Sequence, residues 1–244
     1  MVLHAEQEGQ PGWIKVAGNG SYKNQKHELQ TIPNSAFFQV EGKPSEGITI
    51  HSPKNRLSLK LEPIPFRLKR AHKGGQFLMG SAPGILKWKD RTLKGRVIYE
   101  YLHMPDFNRL TRSYPGMWKD FHGLYAWVEG GGDLYIHHQQ GELFKPLVGE
   151  LVGFAFLDGT DVTLEDLHLE VLETQQATGT YRWPIHWQGG WTMHTKPASI
   201  ELRLSELKVI SNWVVGGFSM GIITGELSTG GRKKALYGLG ELLI

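Results

Sequence analysis

GRVIYEYLHMPDFNRLTRSYPGMWKDFHGLYAWVEGGGDLYIHHQQ, residues 95–140, decides how the rest of the chain is read. It opens on an aromatic run at 96–103. Successive side chains of an extended strand point to opposite faces, so Val97, Tyr99 and Tyr101 share one side and Ile98, Glu100 and Leu102 the other. A connector follows, holding Pro105 and Pro115 and irregular over 106–120. The stretch closes on two strand segments, 121–129 and 133–140, joined at Gly130-Gly131-Gly132. Glycine supplies the positive φ that tight hairpin turns require, so this is a hairpin signal. Aromatic, acidic and imidazole side chains are denser here than elsewhere in the chain. The stretch reads as the seam between two β-barrel-like halves and as the wall of a binding cavity.

The flanks repeat the pattern. Arg56-Leu57-Ser58-Leu59-Lys60-Leu61-Glu62 alternates with period two, and Pro63 and Pro65 end it, since proline cannot donate to a sheet ladder. Residues 12–16, 21–30, 36–40, 47–51, 76–80 and 85–88 read as further short strands. After the hairpin come 147–157, 162–173, 179–187, 191–194, 199–204, 212–215, 221–228 and 234–243. Residues 205–211 fit one helical turn. Residues 164–173 fit either a short helix or a strand with a bulge. No stretch shows long helical periodicity. About eight strands with near-even turn spacing predict an up-and-down barrel in the second half.

Composition agrees. The chain has 244 residues, enough for one large β domain or two small ones. Its 31 Gly and 12 Pro fall between apolar runs, as in a turn-rich all-β protein. A net charge of +3 is too small to imply a nucleic-acid partner. The local basic cluster Arg67, Lys69, Arg70, His72 and Lys73 reads as a solvated edge. Cysteine is absent, which excludes disulfides, thiolate metal sites and a cysteine nucleophile. No apolar run is long enough for a membrane span, and the first residues lack the basic-then-apolar pattern of a signal peptide. A cytoplasmic location is the expectation.

The residues that can carry chemistry sit on these strands. Phe121, Tyr125 and Trp127 form one stripe, and Tyr181, Trp183, Ile185 and Trp187 another. Such stripes either fill a barrel core or line an apolar ligand cavity. His122 and His138 fall on adjacent strands of the hairpin. His137 and His138 point to opposite faces, which argues against a shared metal site. His186 lies opposite the Trp183 and Trp187 stripe. A carboxylate among apolar groups has a raised pKa and can donate a proton. Glu100 and Glu241 are the strand candidates, Asp106 and Asp120 the connector ones. Tyr99 or Tyr101 can orient a polar ligand group. There is no G-x-S-x-G, P-loop or dinucleotide fingerprint.

The order of short motifs resembles a known family. Leu59-Lys60-Leu61-Glu62-Pro63, then Gly95 to Tyr101, then Trp118-Lys119-Asp120-Phe121 and Gly132-Asp133-Leu134-Tyr135 are similar to the AttH/CrtC family of lipocalin-like proteins. Thr178 to Pro184, Gly225-Glu226 and Tyr237 to Leu242 continue the likeness, which spans roughly residues 57–244. The resemblance implies an all-β protein of two lipocalin-like (calycin) antiparallel barrels in tandem, expected at 1–110 and 111–244. The chain looks shorter at its N-terminal end than typical members, so the first barrel is expected to be incomplete, open or differently built. It also implies cofactor-free chemistry on apolar, often polyene, substrates, because the family includes carotenoid 1,2-hydratases, kievitone-hydratase-like enzymes and Diels–Alderase-type cyclases. Its hydratases carry an Asp-His-Glu/Gln run where this chain has Glu100-Tyr101-Leu102; the acid is retained and a tyrosine takes the histidine position. The expected catalytic pair is therefore Glu100 and Tyr101. The expected substrate-binding residues are Tyr99, Trp118, His122, Tyr125, Trp127, His138 and Trp183. No cofactor or metal is expected, and the partner is an apolar small molecule. A non-catalytic lipid or pigment carrier is the alternative.

Overall fold

The structure is a computed structural model that describes residues 2–7, 10–15, 22–25, 28–31, 39–53, 56–103, 121–141, 145–176, 182–193, 196–213 and 216–243. The chain divides into two compact units, one made of Met1–Arg67 and Met79–Glu100, the other of Leu68–Leu78 and Tyr101–Ile244. The boundary expected at 110/111 lies outside the described residues, as do Asp106, Asp120, Trp118 and Tyr181.

In the first half, β1 (Val2–Gln7) and β2 (Gln10–Lys15) pair as a small antiparallel sheet. The larger sheet holds β3 (Tyr22–Gln25), β4 (Glu28–Thr31), β5 (Gln39–Lys43), β6 (Gly47–Ser52), β7 (Leu57–Leu61), β8 (Phe66–His72), β9 (Gly75–Trp88) and β10 (Arg91–His103). Its order is β10-β9-β7-β6-β5-β4-β3, with β8 also on β9. Period-two patterning places the core: Leu57, Leu59 and Leu61 are buried while Ser58 and Lys60 face away. They pack with Val40, Ile48, Ile64, Ala82 and Leu86. The segments expected at 76–80 and 85–88 are one strand, β9, which runs through Pro83.

The second half is a nine-stranded sheet. Its strands are β11 (Phe121–Val128), β12 (Gly132–His138), β13 (Leu151–Leu157), β14 (Thr160–Thr163), β15 (Glu165–Gln176), β16 (Arg182–Met193), β17 (Lys196–Trp213), β18 (Gly216–Thr229) and β19 (Arg232–Leu243). The order is β14-β13-β12-β11-β19-β18-β17-β16-β15. This is a curled meander whose two end strands, β14 and β15, do not pair with each other among the described residues. The first strand pairs with the last, β11 with β19, and the two edge strands β14 and β15 are separated in sequence by Leu164 alone. The sheet curls so that strands far apart in its order share one core, from Leu124, Leu134 and Ile136 to Trp183, Trp187, Trp191, Leu202 and Ile223. The molecule is therefore an all-β protein of tandem lipocalin-like units.

Three local expectations change. Residues 205–211 belong to β17, where register shifts after Ser205 and Val209 absorb extra residues as bulges instead of a helical turn. The segment expected as a strand at 147–157 begins with a one-turn helix, Lys145–Val148, before β13. Segments 179–187 and 191–194 are joined within β16. Gly189 and Gly190 there are not a turn. A Cβ at either would lie 2.4–2.5 Å from the carbonyl oxygen of His168 or Ala198, so glycine lets neighbouring backbones approach. Residues 165–176 form a bulged strand, which settles the helix-or-strand alternative.

Candidate functional site

The β11–β12 hairpin turns where the three glycines fall, Gly130 and Gly131 at φ +88° and +99°. Its register sets two polar groups of side chains on two faces. His122 lies opposite His138, and Tyr125 opposite Tyr135. Across the other edge, Tyr125 lies opposite Leu239, and Gly123 opposite Glu241. Residues an even number apart share a face, so Tyr125, Trp127, Tyr135, His137 and Glu241 stand on the outer side. His122, Leu124, Leu134, Ile136 and His138 stand on the inner side, toward the core.

The outer side holds a hydrogen-bonded aromatic cluster. Tyr125 donates from its hydroxyl to Glu241 Oε2 at 3.1 Å. Its ring packs against that of Tyr135 with centroids 5.0 Å apart. Tyr135 in turn reaches His137 Nδ1 at 3.0 Å, and His137 Nε2 lies 3.3 Å from the carbonyl oxygen of Gly149. A carbonyl only accepts, so Nε2 carries the proton and Nδ1 accepts from the Tyr135 hydroxyl. Phe77 and Phe121 flank the imidazole, with ring centroids 5.9 and 5.5 Å away.

The carbonyl that fixes this tautomer is set by a helix end. The amide of Gly149 bonds back to Lys145 O at 2.9 Å, and Gly149 has φ +91°, the left-handed closure that glycine favours. Burial lowers the His137 pKa to about 4. The Gly149 hydrogen bond opposes the shift, and the charges of Arg70 and His138 add to it. His137 is thus neutral at neutral pH, with both nitrogens engaged. Burial raises the Glu241 carboxyl above the usual range, partly offset by the Tyr125 hydrogen bond. The residue nevertheless keeps part of its surface exposed, as do Tyr125 and Trp127. Tyr237, directly opposite Trp127, is 38% exposed. The outer side therefore presents a carboxyl biased toward its acid form, beside accessible aromatic faces.

The inner side is different. His122 and His138 have ring centroids 5.5 Å apart. Trp187 stands four strands away round the sheet, yet its ring comes within 6.1 Å of His122, so the two meet across the interior. Burial, with the nearby His138, depresses the His122 pKa to about 3. Four buried polar atoms here find no hydrogen-bond partner among the described residues: His122 Nδ1, Trp187 Nε1, Trp191 Nε1 and Ser219 Oγ. Burying such a group unpaired costs about 1–3 kcal/mol.

The expected site residues distribute as follows. His122, His138 and Trp183 are on the inner side, Tyr125 and Trp127 on the outer. Glu100 is exposed on β10 and Tyr101 is half-buried. Tyr99 packs on the core of the first unit, its ring 6.0 Å from Phe66. Sequence reasoning missed Tyr135, Tyr237, Trp191 and Ser219. It named Glu241 as a strand carboxylate and His137 only as the wrong-facing member of a pair. Among the described residues, no three His, Cys, Asp or Glu side chains converge as a metal-ligand set. No helix is long and apolar enough to cross a membrane among those residues.

The fold and this hairpin define a tandem lipocalin-like protein. No family model and no curated protein matches the sequence. Among solved structures, the chain is similar to kievitone hydratase from Nectria haematococca, at 11% identity and a TM-score of 0.50, covering 88% of this chain and 70% of that one. It is also similar to a protein named as an AttH candidate from Nitrosomonas europaea, at 8% identity and a TM-score of 0.45, covering 84% and 68%. At such identity the first likeness establishes the fold. Its name is of the kind that the motif resemblance led one to expect.

Proposed function

We propose that this protein is a cofactor-independent hydratase, isomerase or cyclase acting on an apolar polyene, terpenoid or polyketide, with Glu241 as the general acid. The observation that carries this is the Glu241 carboxyl, biased toward its acid form and hydrogen-bonded by Tyr125, on a residue that is itself half-buried. The neutral carboxyl donates its proton to one carbon of a double bond. Water adds to the carbocation, and the resulting oxonium returns a proton to the carboxylate. Hydrogen and hydroxyl are added across the double bond without redox change. In an isomerase the cation instead loses a different proton to the carboxylate; in a cyclase a second double bond captures it, and the new cation then loses a proton to the carboxylate. The faces of Tyr125, Trp127 and Tyr237 offer an apolar wall and cation–π stabilisation. Binding in a reactive conformation lowers the barrier by up to about 7–11 kcal/mol for well-aligned partners. Tyr135 and His137 act as positioning residues, since both imidazole nitrogens are engaged.

Native mass spectrometry of protein purified from its own host identifies a co-purified apolar molecule. That molecule is then turned over in D2O. Solvent deuterium is expected on a product carbon, and Glu241→Gln is expected to slow turnover by about 10²-fold or more. Turnover that survives both Glu241→Gln and Tyr125→Phe would remove Glu241 from the reaction. Glu100→Gln and Tyr101→Phe test the placement suggested by the motif resemblance.

A non-catalytic carrier of a lipid or pigment is the second reading. The unpartnered polar atoms inside the barrel favour it, because they call for a bound molecule and not for chemistry.

A further inference from the structure

The basic cluster of the sequence has a place in the fold that the Glu241 chemistry does not use. It sits on the hairpin between β8 and β9, whose two-residue turn is Lys73-Gly74. Both turn residues have positive φ, +46° and +80°, the backbone of a tight hairpin turn. Lys69, Arg70, Ala71 and His72 on β8 are exposed, as are Lys73 and Gly74. Two lysines, an arginine and a histidine thus fall within residues 69–73. Among the described residues, no ion pair includes any of the four. Glu150, next to the Gly149 turn, pairs with Lys145 instead, at 3.1 Å. Like charges this close repel, so the cluster favours an anionic surface brought against it.

The hairpin is fixed at its base. Leu68–Leu78 belongs to the second unit. Phe77 packs on His137 with centroids 5.9 Å apart, and a Cβ on Gly149 would lie 3.2 Å from Arg70 Cζ. The basic tip therefore stands beside the outer side of the β11–β12 hairpin, where contacts run from His137 through Tyr135 to Tyr125 and Glu241. That side also presents aromatic surface. Tyr237 is 38% exposed, and Tyr125 and Trp127 are half-buried. Tyrosine and tryptophan rings are apolar in the body and polar at one end, so they favour the boundary between water and lipid.

We propose that the β8–β9 hairpin docks the protein on a membrane surface rich in anionic lipid, bringing the aromatic outer side to the lipid boundary. Such a surface matches the cluster in sign, and each lysine or arginine near it strengthens partitioning by about fivefold. A nucleic acid is the poorer match, because the whole chain carries only +3. Docking is contact with a surface, not a span, and it does not rest on the reaction proposed for Glu241.

The test is co-sedimentation of the full chain with vesicles of phosphatidylcholine alone and of phosphatidylcholine mixed with phosphatidylserine. Binding is expected to the mixed vesicles only, and it should weaken as salt rises. The double variant Lys69→Gln/Lys73→Asn is expected to weaken it by about 10–30-fold. Asparagine is used at 73 because it tolerates positive φ. The control Lys60→Gln/Lys87→Gln removes the same charge from exposed positions on β7 and β9 and should bind as the native chain does. An equal loss in the control traces binding to net charge and overturns the inference. So does no binding to the mixed vesicles, equal binding to both kinds, binding indifferent to salt, or native binding in the hairpin variant. Competition by an excess of the soluble head group glycerophosphoserine would mean a pocket for one phosphate, and it overturns the docking surface as well. Each of these failures leaves the Glu241→Gln turnover test standing, because that test is read without vesicles.

Discussion

At the scale of the residue, the hairpin separates two polar environments by alternation alone. Tyr135 and His137 look outward, His122 and His138 inward, and each pair has its own electrostatics. Glu241 is where the outer set has chemical consequence. Because the acid form is the active one, activity should be full below the raised pKa of Glu241 and fall as pH rises through it. A pH–rate profile checks this; a rate that rises with pH across that range contradicts the acid role. Tyr135 supplies a second prediction. Tyr135→Phe leaves the buried His137 Nδ1 without its donor, and the cost should be about 1–3 kcal/mol of stability by denaturant titration. Unchanged stability would mean the Tyr135–His137 bond is not formed in solution. The sequence made the facing of His122 and His138 legible, because a glycine turn fixes hairpin register locally. It hid the Tyr125–Glu241 bond, since those residues are 116 positions apart and nothing in a period-two pattern names a distant partner.

At the scale of the element, the strands were legible wherever alternation was clean, as at β7 and β11, and their ends were not. Glycine pairs that resembled turns proved to be close backbone crossings within β16, and a suspected helical turn proved to be bulges in β17. Composition cannot separate these cases, because the same residue permits a turn and a close approach. The one-turn helix Lys145–Val148 shows what a short element contributes. It ends at Gly149, whose carbonyl orients His137. Gly149→Ala should therefore destabilise the protein by more than about 1 kcal/mol, since a side chain is strained at φ +91°. The new Cβ would also meet Val152 Cγ1 at 2.6 Å. Gly159→Ala is the control, with φ +82° but nothing within 4 Å of its Cβ. If both variants lose the same stability in thermal melts, backbone strain alone explains the effect and Gly149 has no packing role.

At the scale of the whole molecule, pairing of β11 with β19 in the second sheet decides where both polar environments lie, and it was the part of the fold least legible in sequence. The hairpin and the C-terminal strand were each visible, but their pairing depends on the curl of nine strands. The fold also buries two imidazoles in neutral form, His122 inside the curled sheet and His137 on its outer side under Phe77, and this has a consequence for acid stability. An unfolded histidine has a pKa near 6.5, whereas His137 and His122 are held at about 4 and about 3, both chiefly by burial. Below about pH 6.5 the unfolded state takes up protons that the folded state refuses, so stability falls with falling pH until the folded pKa values are reached. A tenfold difference in proton affinity between the two states corresponds to about 1.4 kcal/mol, so the two sites together can remove several kcal/mol between about pH 6.5 and 3. Glu241 works in the opposite sense. Its raised pKa favours the folded state in acid and is a cost at neutral pH, which tempers the loss. The melting temperature should hold steady from pH 8 to 7 and then drop progressively toward pH 4. His122→Phe should flatten that decline even if it lowers stability at pH 7, because it removes one group that charges on unfolding. A melting temperature unchanged between pH 7 and 4.5, or a decline as steep in His122→Phe as in the native chain, would show that the inner imidazole is not buried as the curled sheet requires.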